Sequence, residues 1–188
     1  MGTSTNQSSP KTPNWRIANA VLGNPSASPE RQHQELWRAA IGDQGDALAE
    51  ALGNPLLGNA CALSTRSKSP SEAIRQFEQS LIDSHNASLI LDLGKRALVR
   101  TVAAEKGAAA FASELFAETV SYYASRDLPS FVGAKGRIST TSDAIELKNQ
   151  IRDHARKIAK MFPVKSDPKG WKVYVSKVLD ALQKGEKK

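Results

Sequence analysis

The chain has a single cysteine, Cys61, among its 188 residues, which excludes an internal disulfide and fits a reducing cytosol. No apolar run approaches the roughly 18–20 residues that a membrane-spanning helix needs. The N-terminus carries neither a basic n-region nor an apolar h-region, so no secretion signal is expected and the protein is read as cytoplasmic. No segment sustains alternation of β-branched residues, so essentially no sheet is predicted. Gly-x-x-x-x-Gly-Lys and His-Glu-x-x-His are both absent. His33-Gln34-Glu35 has the H-x-E half of a zinc deaminase site, but no Pro-Cys-x-x-Cys follows it. His85 and His154 are far from His33 in sequence. No catalytic residue, metal ligand or cofactor is therefore assigned, and an enzyme is not expected. Aromatics make up only 6 % of the chain, too few to interleave with the basic residues as a base-stacking platform.

What the chain does have is helical periodicity. From Asn86 to Asp127 two helices follow each other. Leu89, Ile90, Leu93, Ala97, Leu98 and Val102 recur at helical spacing in the first. Ala108, Phe111, Ala112, Leu115, Thr119 and Tyr122 do so in the second, with Phe116, Val120 and Tyr123 on its flank. These faces are too broad and too apolar to meet water, so the pair is expected at the centre of a helical core. The break falls at Glu105-Lys106-Gly107, where the glycine can take a left-handed conformation at the helix end.

A repeated start signal frames the rest. Ser28-Pro29, Asn54-Pro55, Ser69-Pro70 and Asp167-Pro168 each place a capping side chain before proline. Proline suits the first helical position because its missing N–H would have no helical partner there. These pairs predict helices over about 29–41, 55–65, 70–84 and 168–184, with a full capping box at Ser69–Glu72. A short turn near Asp46–Leu52 is expected to be helical, as are the residues from Asn14, a candidate cap, to Leu22, with Trp15, Ile17, Ala18, Val21 and Leu22 as their apolar positions. A further helix is predicted from about Asp143 to Phe162, capped by Thr141 or Ser142. The class is all-α: one domain of about seven to eight helices over residues 14–188, behind a flexible tail, residues 1–13, of Ser, Thr, Asn, Gln and Pro.

The longest interruption, Asp127–Thr140, contains Gly133-Ala134-Lys135-Gly136, a match to the G-x-x-G loop of KH domains. Without strands around it, a packed connector anchored by Phe131 is the better reading.

Net charge is +7, and from Asp143 onward twelve Lys and Arg stand against six Asp and Glu. Residues 141–188 thus form the basic C-terminal helices. On the first of these, Leu147, Ile151, Ala155, Ile158 and Phe162 make the core stripe, while Lys148, Arg152, Arg156 and Lys160 form a separate row at four-residue steps. Like charges so spaced repel by a few tenths of a kcal/mol, about 0.2–0.5 per pair, unless a partner neutralises them. The row is therefore either a solvated face or a surface for an anionic partner such as nucleic acid. On the last helix Trp171, Tyr174, Val175, Val178 and Leu182 face inward.

The tail supplies a different kind of candidate. Methionine removal before a small residue would leave Gly2 as the N-terminus; Asn6 stands where the myristoylation pattern needs Ser or Thr. A terminal amine, with a pKa of about 7.7–8.0 against about 10.4 for lysine, is the readier nucleophile near neutral pH. Met1-Gly2-Thr3-Ser4, leading through a Ser/Pro-rich stretch into a helical domain, resembles the QatB-like proteins of bacterial Qat antiphage systems. Ser125-Arg126-Asp127-Leu128-Pro129 through Gly133 is similar to bacterial proteins of this type. The tail here is less glycine-rich than the commoner QatB tail. The resemblance implies a non-catalytic component that accompanies an ATPase, a QueC-like enzyme and a TatD-like nuclease. It further implies that a carboxylate activated with ATP by the QueC-like enzyme is passed to the Gly2 amine, with Gly2, Thr3 and Ser4 as the recognised tail. The second reading is a helical nucleic-acid-binding adaptor that works through Lys148, Arg152, Arg156 and Lys160.

Overall fold

The computed structural model describes residues 13–22, 24, 26–41, 44–104, 107–127, 138 and 140–184. Among these the protein is all-α, with nine helices and no strand. They are α1 (Pro13–Leu22), α2 (Pro29–Ile41), α3 (Gly45–Leu52), α4 (Pro55–Arg66), α5 (Pro70–Asp83), α6 (Leu89–Ala104), α7 (Ala108–Asp127), α8 (Thr141–Lys160) and α9 (Pro168–Lys184). The count exceeds the expected seven to eight because the short segments before Gly23 and before Gly53 are helices in their own right. Among the described residues no helix is long and apolar enough to cross a membrane. Residues 1–12 of the expected tail and the Gly133–Gly136 match lie outside the described residues, and Pro13 begins α1.

The proline-marked starts form as local chemistry dictates. Helices α2, α4, α5 and α9 all begin at the proline. The Asn54 side chain accepts from the Leu56 N–H at 2.9 Å, the Ser69 hydroxyl from Glu72 N–H at 3.2 Å, and the Asp167 carboxylate from Gly170 N–H at 2.9 Å. The return half of the box at α5 is shifted by one residue, since Glu72 accepts from the Lys68 N–H at 2.9 Å. A reciprocal box occurs at α8 instead. Thr140, one residue before the expected cap, accepts from Asp143 N–H at 3.1 Å, and Asp143 accepts from Thr140 N–H at 3.0 Å. Helix α1 starts at Pro13, so Asn14 is inside it rather than its cap.

Helix α7 is the axis of the molecule. It packs against α2, α4, α6 and α8. Residues on every side of it are buried, among them Phe111, Ala112, Leu115, Phe116, Ala117, Thr119 and Val120. A helix buried all round needs no single apolar stripe. Its buried hydroxyls are satisfied within the helix: Ser113 donates to Ala110 O at 2.9 Å and Thr119 to Leu115 O at 2.8 Å. The rings of Phe111 and Phe116 each lie 6.1 Å from an aromatic ring of α9, Trp171 and Tyr174 respectively. Those two rings keep their polar ends paired, the Trp171 indole N–H donating to Leu52 O at 2.8 Å and the Tyr174 hydroxyl to Ala159 O at 2.9 Å. One hydrogen bond thus ties α9 to the end of α3 and the other to α8.

Two glycines are required for different reasons, Gly94 for close approach and Gly107 for its backbone conformation. A Cβ on Gly94 of α6 would sit 2.4 Å from Leu57 Cδ2 of α4. Gly107 adopts φ +138°, with nothing within 4 Å of where its Cβ would be. Its carbonyl accepts from the Phe111 N–H at 3.0 Å, so this glycine opens α7 rather than closing α6.

Three expected inward residues point outward. Tyr122, Leu89 and Ile17 are 42 %, 40 % and 49 % exposed. Leu89 is the first residue of α6, and Tyr122 lies in the last two turns of α7, each at an end of a helix whose middle is buried. Phe162 lies past the end of α8 and packs, half-buried, against the core.

Phe111→Ala is expected to lower stability by about 3–5 kcal/mol, and Leu115→Ala by about 2–5, because both side chains are fully buried at the centre. Equilibrium urea unfolding of each variant against the parent checks this.

Candidate functional site

The four-residue row on α8 meets carboxylates from its own chain. α7 presents Glu114 and Glu118, one helical turn apart, toward α8, and Arg152 and Arg156 arrive at the same four-residue step. Arg156 binds Glu114 through two nitrogens, Nε at 2.6 Å and Nη2 at 3.1 Å, and reaches Asp153 at 2.7 Å. This is the fork geometry in which guanidinium and carboxylate bind most strongly. The carboxylate holds the Arg156 guanidinium above its ordinary pKa. Arg152 donates to Glu118 at 2.7 Å, and Arg100 of α6 donates to the same Glu118 oxygen. The Glu118 side chain is only 10 % exposed. Three arginines thus face Glu114, Glu118 and Asp153, and these six charges cancel.

The structure therefore divides the predicted row. Arg152 and Arg156 are neutralised by α7. Lys148 and Lys160 form no ion pair with any described residue, and Lys160 is exposed. The cost expected from like charges at Arg152 and Arg156 is offset by internal partners, Glu118 and Glu114. Gly2, Thr3 and Ser4 lie outside the described residues. Arg100, Glu114 and Glu118 were not among the residues the sequence singled out. A signal for them exists: two carboxylates at i and i+4 on an otherwise apolar helix match two arginines at i and i+4 on a later one.

A cavity of about 440 Å³ opens beside this cluster, lined by α6, α7 and the last turns of α8, with Arg100, Glu114, Arg156 and Lys160 among its walls. The Cys61 thiol is buried, and burial pushes it up to about 12, so no thiolate forms near neutral pH. Among the described residues no group of three or more His, Cys, Asp or Glu is placed to hold a metal. The fold does bring together His33 of α2 and His154 of α8, whose ring centroids are 5.3 Å apart. His33 is buried, and its Nε2 has no hydrogen-bond partner among the described residues. Burial, then the neighbouring His154 charge, hold the His33 pKa below its ordinary value, against smaller opposing effects from Gln150 and Glu30.

Comparison of the chain with models of protein families, with curated proteins and with solved structures finds no match in any of the three.

Two expectations follow. His33 has its folded pKa below the unfolded value, so the folded state binds fewer protons; its contribution is complete above pH about 6.5 and is lost as pH falls below that. Urea unfolding should therefore weaken from pH 7 to pH 5.5, and His33→Gln should flatten that slope. For the α8 row, Lys148→Gln with Lys160→Gln should flatten any log–log salt dependence of duplex binding by about 1.8 units, at about 0.9 per phosphate contact. Arg152→Gln with Arg156→Gln should instead lower stability and leave that slope nearly unchanged.

Proposed function

We propose that this chain is a non-catalytic component of a bacterial antiphage defence system, acting as partner and N-terminal modification substrate of a QueC-like ATP-dependent enzyme. The observation that carries the reading is the Met1-Gly2-Thr3-Ser4 start and its Ser/Pro-rich lead, with its resemblance to QatB-like proteins. In this reading the acceptor is the Gly2 α-amine, and Thr3 and Ser4 are recognised beside it. An ATPase and a TatD-like nuclease complete the set of partners that the resemblance implies.

The chemistry is an acyl transfer. The enzyme partner uses ATP to convert a carboxylate, of the 7-deazaguanine type, into a mixed anhydride with phosphate: a carboxylate oxygen attacks a phosphorus of ATP, an O–P bond forms, and the P–O bond to the departing diphosphate or ADP breaks. The lone pair of the Gly2 amine attacks the acyl carbon, a C–N bond forms, and the C–O bond to the phosphate leaving group breaks. The proton lost from nitrogen goes to solvent. A terminal amine near pKa 7.7–8.0 is free base in roughly a tenth of molecules at pH 7, against under about one in a thousand for a lysine side chain, and glycine places no side chain beside it. The helical domain, closed around α7, serves as the carrier that presents the tail. The internal pairing of Arg152 and Arg156 weighs against the adaptor reading, which is left with Lys148 and Lys160 on this row.

Intact-mass analysis of the protein co-expressed with a QueC-like partner should show an adduct on the N-terminal peptide, and an uncleaved N-terminal tag should abolish both adduct and function at unchanged thermal stability. Gly2→Ala keeps methionine removal and should reduce the adduct only partly, whereas Lys11→Arg should leave it intact. Full activity with the N-terminus blocked would overturn the proposal.

A further inference from the structure

The cavity at the α6–α7–α8 junction has a composition that the ion-pair cluster alone does not require. Its floor is made by Thr101 and Ser113, each 2 % exposed, and Ala110, 7 % exposed. Its mouth is formed by the exposed Ala103, Ala104, Arg100 and Lys160. The two floor hydroxyls already donate to carbonyls of their own helices, Thr101 to Ala97 O at 2.8 Å and Ser113 to Ala110 O at 2.9 Å. Their oxygens are left able to accept, so the floor is suited to a hydrogen-bond donor on a ligand. The three alanines, Ala110 at the floor and Ala103 and Ala104 at the mouth, supply the apolar surface of the cavity.

The charge at the mouth is also defined. Arg100 is held by Glu118, and Arg156 by Glu114 and Asp153. Glu114, the one carboxylate lining the cavity, is thereby neutralised and does not compete for a further cation. Lys160 is the surplus, with no ion pair to any described residue. A volume near 440 Å³ lies within the ordinary range for small-molecule sites, about 300–1,000 Å³. Among the described residues, one unpaired cation at the mouth, the alanine surface and the acceptor oxygens at the floor define the chemistry of a complementary ligand.

We infer that this cavity binds a small, flat organic monocarboxylate, its carboxylate on Lys160 at the mouth and a hydrogen-bond donor on the Thr101 and Ser113 oxygens at the floor. Such a site is separate from the Gly2 amine and does not depend on chemistry there. Bound ligand would bridge α6, α7 and α8, adding a contact to the junction that the arginine–glutamate cluster already holds.

The probe is 4-hydroxybenzoate, which has a carboxylate, a flat ring and a hydroxyl donor opposite, titrated into the full-length, isotope-labelled protein and followed by amide resonances. Saturable shifts are expected at Thr101, Ala104, Ala110 and Ser113, with Kd of about 1–10 mM for a ligand of this size. The uncharged 4-hydroxybenzamide should leave these resonances in place. Lys160→Met should weaken binding about tenfold or more, Lys160→Arg should retain it, and Lys177→Met on α9 should not change it. Ala104→Phe, an exposed substitution that fills the mouth and keeps every charge, should block it. Absent shifts, equal shifts with the amide, tighter binding of phenyl phosphate, or binding insensitive to both Lys160→Met and Ala104→Phe would each overturn the assignment.

Discussion

Everything in this fold depends on burying α7, a twenty-residue helix surrounded by protein over most of its length. Its apolar residues are covered by α4, α6 and α9, and its small hydroxyls by their own backbone. Two of its acidic residues, Glu114 and Glu118, face α8. Carboxylates in a setting this dry need partners, and Arg152, Arg156 and Arg100 are those partners. One arginine comes from the helix before α7 and two from the helix after it. The cluster therefore fixes the mutual positions of α6, α7 and α8 more narrowly than apolar contact alone would, since guanidinium–carboxylate bonds are directional.

That arrangement changes the meaning of the basic C-terminal region. Its net charge suggested a surface for a polyanion, yet two of the four row residues are consumed inside the fold. Lys148, in the first half of α8, and Lys160, its last residue, form no ion pair with any described residue and are about three helical turns apart. Lys160 sits over a cavity and Lys148 does not. On this row two arginines are paired within the fold and two lysines are not, one of them beside a small-ligand-sized recess. The proposed working end, Gly2, is on a different part of the chain altogether, which leaves the helical body free to be selected for packing.

Much of the fold was legible because its signals are local. A capping side chain followed by proline acts within one turn, and Pro29, Pro55, Pro70 and Pro168 all begin helices. The central position of Phe111, Leu115, Trp171 and Tyr174 was legible from period alone. Smaller features depended on neighbours that sequence does not reveal. Whether Thr140 or Thr141 caps α8 turns on which side chain reaches Asp143. The outward turns of Tyr122 and Leu89 reflect where the surrounding helices stop. The pairing of Arg152 with Glu118 and Arg156 with Glu114 joins residues 34 and 42 positions apart, beyond any local rule. The matched four-residue steps were present in the sequence, but only the antiparallel packing of α7 and α8 gives them meaning. Of the tail candidates the sequence gives composition and order, and the described residues add no geometry to them.

The central claim is that the α8 arginines and the α7 glutamates form one structural unit, and a double-mutant cycle measures it. Urea unfolding would compare Glu114→Gln/Glu118→Gln, Arg152→Gln/Arg156→Gln and the combined four-site variant with the parent chain. Each pair should destabilise the protein, and the combined variant should lose less than the sum, with a coupling energy of about 0.5–3 kcal/mol. Additive losses would contradict this account and return Arg152 and Arg156 to the solvent-facing surface.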